Sequence, residues 1–137
     1  MKKTTSYAIL IVLLVIGCAS MAEKSRMKKF GVISESFERA LRMSDYTAAA
    51  KYIESSDENP RPDFQKLRNF KIVEYNVTHV HVSEDKRKIT QDVELQYYQL
   101  NSSILHRTVY PQKWQFKPAD EVWLLQTGLP DFKPQHP

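Results

Sequence analysis

Ile89-Thr90-Gln91-Asp92-Val93-Glu94-Leu95-Gln96-Tyr97 alternates apolar and polar side chains along most of its length. Ile89, Val93, Leu95 and Tyr97 fall on one parity, with Thr90, Asp92, Glu94 and Gln96 on the other. Successive side chains of a strand point to opposite faces, so this stretch predicts a strand with one face on a core and one in water.

On its N-terminal side, Ser83-Glu84-Asp85-Lys86-Arg87 predicts a polar hairpin with a solvated basic tip at Lys86, Arg87 and Lys88. Before the hairpin, Val73, Tyr75 and Val77 share one parity, while Val80 and Val82 take the other. A bulge near Thr78 or His79 reconciles the two halves. On the C-terminal side, Asn101-Ser102-Ser103 turns the chain. Residues 104–117 then form a strand with His106, Thr108, Tyr110, Trp114 and Phe116 on one parity. Pro111 has no backbone N–H to give to a ladder and points to an edge or a bulge. A turn at Pro118-Ala119-Asp120-Glu121 leads to a last strand over residues 122–127, ended by Gly128 and Pro130.

Towards the N-terminus the period changes from 2 to 3.6. Phe30, Ile33, Phe37 and Leu41 line one helix face, with Ala40 alongside and Glu35, Glu38, Arg39 and Arg42 largely off it. Ser44-Asp45 interrupts the helix, and Asp45 is placed to accept from the amide of Thr47 or Ala48. Tyr46, Ala49, Ala50 and Ile53 make a second, shorter amphipathic helix, which Asp57-Glu58-Asn59-Pro60-Arg61-Pro62 ends. A short turn is expected over residues 63–68. Helices followed by a four-strand antiparallel meander read as an α+β domain.

This order resembles the nuclear-transport-factor-two-like (cystatin-like) α+β roll. The resemblance spans residues 30–129: the helix, the Ser44-Asp45-Tyr46 break, the second helix and the aromatic strands ending Trp123-Leu124-Leu125. It implies N-terminal helices packed on a curved four-stranded sheet, enclosing a conical pocket.

The first residues read as an address. Met1 to Ser6 carries Lys2 and Lys3 and no acid, and Tyr7 to Ile16 is apolar apart from the Tyr hydroxyl. Ten helical residues rise about 15 Å, roughly half of a bilayer core, which suits a signal peptide rather than a span. Val15-Ile16-Gly17-Cys18 resembles the lipobox of bacterial lipoproteins. That resemblance implies cleavage before Cys18, diacylglycerol on its thiol and further acylation of its new amine. Ala19, rather than Asp, follows the cysteine, as in Gram-negative lipoproteins sorted to the outer membrane. Ser20-Met21-Ala22 offers an ordinary signal-peptidase site, which would instead release a soluble periplasmic or secreted protein. The expected division is residues 1–17 as signal peptide, 18–29 as lipidated N-terminus and basic tether, and 30–137 as the α+β domain. The tether carries Lys24, Arg26, Lys28 and Lys29 against Glu23, and basic residues beside a bilayer are drawn to anionic headgroups.

Composition narrows the chemistry. The chain of 137 residues has one Cys and three Gly, which leaves no disulfide framework, Cys-rich zinc site or Gly-rich phosphate loop. Its +4 charge lies in the leader and tether, since Phe30 onward has 14 Lys and Arg against 15 Asp and Glu. No nucleic-acid partner and no cofactor are expected.

Two constellations remain. His79-Val80-His81 puts two imidazoles on one strand face, and His106 is a third ligand if the strands bring it near. Val80 and Val82 take the inward parity, which is expected to turn both histidines to solvent. The second is a pocket lined by Tyr46, Tyr75, Tyr97, Tyr110 and Trp114, or else a core made of them. Acid–base work there needs an inward ionisable group; His106 shares parity with Tyr110 and Trp114, whereas Asp92 opposes Val93 and faces out. The expectation is a lipid-anchored envelope domain that binds a protein partner or small ligand. The alternative is a small cofactor-independent enzyme, an isomerase or dehydratase, working in the cone.

Overall fold

The computed structural model describes residues 2–133, with side chains from Ser20 onward. The side chains of Val15, Ile16 and Cys18 therefore lie outside the described residues. The elements are α1 (Lys2–Arg42), α2 (Tyr46–Ala50), α3 (Phe64–Leu67), β1 (Phe70–Val82), β2 (Lys88–Gln99), β3 (His106–Lys117) and β4 (Val122–Leu125). The strands form one antiparallel sheet in the order β1-β2-β3-β4, so the fold is α+β. Among the described residues, no helix is long and apolar enough to cross a membrane.

α1 covers one face of the sheet with the predicted stripe. Phe37 and Leu41 are fully buried, and Phe30 and Ile33 pack against the core. Complete burial of such side chains stabilises by about 1.5–3 kcal/mol each. The helix stops where Ser44 takes a left-handed φ of 60°. Asp45 then caps α2 by accepting from the Ala48 amide at 3.0 Å, the bond expected from its position. α2 is shorter than its apolar pattern suggests. Ile53, expected at its end, instead bridges to Leu125 of β4. Asp63 caps the single turn of α3, accepting from the amides of Gln65 and Lys66.

β2 buries Ile89, Val93, Leu95 and Tyr97, as its alternation requires, and Gln91 as well. β1 is irregular at two places. One register shift lies between Thr78 and His81, where the parity break predicts it, and His79 adopts φ 49°. The other, between Ile72 and Glu74, puts Val73 in a bulge, so that Ile72 and Tyr75 both reach the core side. The bulges correct the parity reading in two respects: Val73 does not share the face of Tyr75, and Val80 is 56% exposed rather than inward. Pro111 lies in register opposite Asp92 with no bulge. β4 pairs only with Trp114 through Lys117, so Pro111 sits where β3 is itself an edge.

Residues 19–29, expected as a solvated tether, are helical and continuous with α1. From Glu23 onward they touch the sheet. Glu23 pairs with Lys86, Lys29 pairs with Glu121, Met27 packs on the core, and the Arg26 carbonyl accepts from Trp123 Nε1 at 3.0 Å. After β4 the chain returns across the core, where Phe132 is buried against Phe70, Tyr97 and Tyr46.

Candidate functional site

The five aromatic residues expected around a pocket lie on the helix-covered face, and each is held by interior partners. Tyr46 is buried and its hydroxyl donates to the Phe70 carbonyl at 2.8 Å. Tyr97 is wedged between Phe70 and Phe132, with ring centroids 6.0 and 4.8 Å away. Tyr110 donates its hydroxyl to the Gly128 carbonyl at 2.7 Å. Trp114 meets Phe30 and Phe37 edge to face at 5.8 and 5.4 Å, with α1 lying directly over it. Burial without nearby positive charge disfavours a phenolate. It pushes the Tyr46 and Tyr75 hydroxyls up to about 12 and raises Tyr110 well above its ordinary value. These phenols are neutral donors and acceptors at physiological pH.

Between them runs a polar network that the alternation of β2 conceals. Gln112 is 1% exposed, and its Oε1 accepts from Gln91 Nε2 at 2.8 Å and from Trp114 Nε1 at 3.0 Å. Its Nε2 donates to the Tyr75 hydroxyl at 2.8 Å. A buried amide is tolerated only when its donors and acceptors are paired, and here four side chains satisfy one another. Gln91 and Gln112 read as ordinary polar positions in sequence. The available signal is that Gln91 shares the parity of Ile89 and Val93, and Gln112 that of Tyr110 and Trp114.

The open concavity lies elsewhere. A groove of about 1000 Å³ runs between residues 50–67 and the tail at 128–132, walled by Ile53, Pro60, Pro62, Phe64, Leu67, Phe70, Leu129, Pro130 and Phe132. Charged side chains at its rim include Lys51, Glu58, Arg61, Lys66 and Asp131. Its loop is pinned to the sheet. Asn59 Nδ2 donates to the Gln126 carbonyl at 2.7 Å, the Glu54 amide donates to the Leu125 carbonyl at 2.9 Å, and Glu54 pairs with Lys117. That Lys117 contact holds the Glu54 carboxyl below its ordinary range. None of the five expected pocket residues lines this groove. Sequence reading assigned the Pro-flanked loop only the role of ending a helix, because its facing wall comes from a tail more than 60 residues later.

The three described imidazoles divide between two ends of the sheet. His79 and His81 are exposed near the β1–β2 hairpin, and His79 Nδ1 is 3.7 Å from Asp92 Oδ2. His81 lies opposite Thr90, and Thr90 opposite Lys113. His106 begins β3 seven residues before Lys113, about 23 Å along an extended strand. It is half-buried, with its ring stacked on Tyr97 at 5.4 Å. The structure therefore brings His79 beside Asp92 and does not bring His106 to either histidine. Among the described residues, no three His, Cys, Asp or Glu side chains are grouped to hold a metal ion.

The uncovered face of the sheet carries a second, smaller concavity of about 440 Å³ between Glu74, Asn76, Glu94, Gln96, Arg107 and Val109. In the amide orientation that satisfies both neighbours, Gln96 donates to Glu74 Oε2 at 3.1 Å. Its oxygen then accepts from Arg107 Nη2 and Nε at 2.7 and 2.8 Å. This cross-strand ladder is a stabilising arrangement for solvated strands. No family model, curated protein or solved structure matches the chain.

Proposed function

We propose that the chain is a bacterial lipoprotein, held by acyl chains on Cys18 at the cell envelope, and that its domain binds a partner or ligand without turning it over. The domain is read as a roll of the nuclear-transport-factor-two-like type. The observation that carries the binding reading is where the open space lies. The helix-covered face is filled by Tyr46, Tyr97, Tyr110 and Trp114, whose polar atoms are engaged internally or whose rings are packed. The larger described concavity is a groove with apolar walls and charged rim between the 50–67 segment and the tail. Apolar walls with a few convergent polar groups suit recognition of a ligand or peptide.

The anchor reading is supported by the basic start, the short apolar run and Val15-Ile16-Gly17-Cys18. Two acyl chains give durable attachment where one does not. Ala19 after the cysteine favours the outer membrane of a Gram-negative envelope. Fractionation tests this directly: the wild-type chain is expected in the membrane pellet, and Cys18→Ala in the soluble fraction. A Cys18→Ala chain that still pellets overturns the anchor. For the groove, a photo-crosslinker at Phe64 is expected to capture a reproducible envelope partner. No adduct, with no ligand carried by the purified protein, overturns the binding reading.

A further inference from the structure

The polar contacts of residues 23–29 of α1 gather at one end of the sheet. Glu23 Oε2 lies 3.5 Å from Lys86 Nζ, Arg26 Nη2 donates to the Asp85 carbonyl at 3.4 Å, and Lys29 Nζ is 3.5 Å from Glu121 Oε2. The β1–β2 hairpin and the β3–β4 turn therefore stand together where α1 leaves the sheet. Glu23 is five residues beyond Cys18, a helical rise of about 7.5 Å. Helix α1 is continuous through this stretch, so it holds the hairpin at a fixed and short distance from residue 18.

That end is basic. Lys24, Lys28, Arg87 and Lys88 are exposed, and none of them takes part in a described ion pair. The carboxylates nearby are Glu84, Asp85 and Asp120, besides the paired Glu23 and Glu121. Asp85 is itself exposed, accepts from Ser83 Oγ at 2.6 Å and from the Arg87 amide at 3.1 Å, and lies within the field of Arg87 and Lys88, so cations exceed carboxylates at this end by the unpaired Lys24 and Lys28. Met21, just before the first sheet contact, is 73% exposed. Basic residues within a Debye length of an anionic surface are attracted to it.

We propose that residues 83–88, with Lys24 and Lys28, form a membrane-facing surface that binds anionic phospholipid headgroups of the bilayer holding Cys18. The domain then stands end-on. This rests on the lipid-anchor reading and adds orientation and lipid preference to it. The opposite end follows from strand length: β2 spans 12 residues, up to about 40 Å, so the 100–105 loop faces away from that bilayer.

The test uses the full, acylated chain in vesicles of phosphatidylcholine alone or mixed with phosphatidylglycerol. Cys18 is the single cysteine, and acylation occupies its thiol, so Glu84→Cys and Ser103→Cys each provide one labelling site. With a fluorophore at either site and a headgroup-attached quencher lipid, several-fold stronger quenching is expected at 84 than at 103. It should increase with phosphatidylglycerol and fall back when Arg87→Glu and Lys88→Glu are added. Equal quenching at both sites, or no response to phosphatidylglycerol or to charge reversal, overturns the proposal. Mass spectrometry of the N-terminal peptide separates the two readings. An unmodified Cys18 overturns the anchor and this proposal with it, whereas acylated Cys18 with equal quenching overturns only the orientation.

Discussion

Trp123 Nε1 donates 3.0 Å to the backbone carbonyl of Arg26, joining the last strand to the first helix across 97 residues. The same indole ring lies 5.2 Å from Phe30 and 5.5 Å from Phe116, and the Arg26 guanidinium sits 5.4 Å from the Phe116 ring. This contact makes the basic stretch before Phe30 part of the folded unit. A carbonyl inside a helix already has its own i+4 amide partner, so the indole bond is an additional one.

Trp123→Phe keeps most of the apolar volume and removes the indole donor. Urea unfolding of this variant is expected to show a loss of about 0.5–1.5 kcal/mol, the usual worth of one hydrogen bond. Trp123→Ala should lose about 3–5 kcal/mol, because it also leaves a cavity. An unchanged midpoint for Trp123→Phe contradicts the docking of residues 23–29.

Gln112→Leu strands Gln91, the Trp114 indole and the Tyr75 hydroxyl together, since all three bond to the same amide. Each buried polar group left without a partner costs about 1–3 kcal/mol. With three such groups left, a loss of at least about 3 kcal/mol is expected for this single substitution. Adding Gln91→Leu should recover part of that loss, because replacing both amides removes one orphan. Strict additivity of the two losses would mean that the pair is not coupled.

Alkaline stability follows from the phenols. Tyr46 and Tyr75 are held protonated up to about 12 by burial, above the ordinary value of 10.0. Above pH 10 the unfolded chain sheds these protons while the folded chain keeps them. Their contribution is therefore complete below pH 10 and is lost as pH rises towards 12. Phenolate absorbance should show a cooperative step above pH 10 that coincides with loss of ellipticity, as Tyr46 and Tyr75 are released from burial. A single smooth titration near 10 would contradict the burial.

His79 occupies the left-handed region in the β1 bulge, where a β-branched residue is strained by about 1–2 kcal/mol. His79→Gly is expected to match or exceed wild-type stability, by up to about 1 kcal/mol. His79→Val should fall by a similar amount. That ranking reverses strand propensity, which favours Val over Gly. Thermal unfolding that places Val above Gly would refute the bulge geometry.

The groove and the filled face show how far pattern reading reaches. The parity of β2 and the stripe Phe30, Ile33, Phe37 and Leu41 give the elements and their inner faces, because both signals are local and repeat. The Asp45 cap and the second β1 bulge are equally local. The first bulge was hidden: Val73 looks like any strand residue, and only pairing with β2 reveals the extra position. The Gln91–Gln112 bond was hidden for the same reason, since its partners meet only through the β2–β3 register.

By itself, then, the amino-acid sequence determined the α+β order of elements and the apolar faces that α1 and β2 bury. The fate of the inward aromatic residues was decided only by tertiary structure. Whether such a face is a cavity or a core depends on how closely a remote segment approaches. Phe37 on Trp114 and Phe132 on Tyr97 close it at contact distance. Tertiary structure likewise decided that residues 23–29 meet the end of the sheet, where Glu23, Lys29 and the Arg26 carbonyl contact Lys86, Glu121 and Trp123. Periodicity reports which side of an element is apolar, whereas contact across 60 or more residues depends on the assembled geometry.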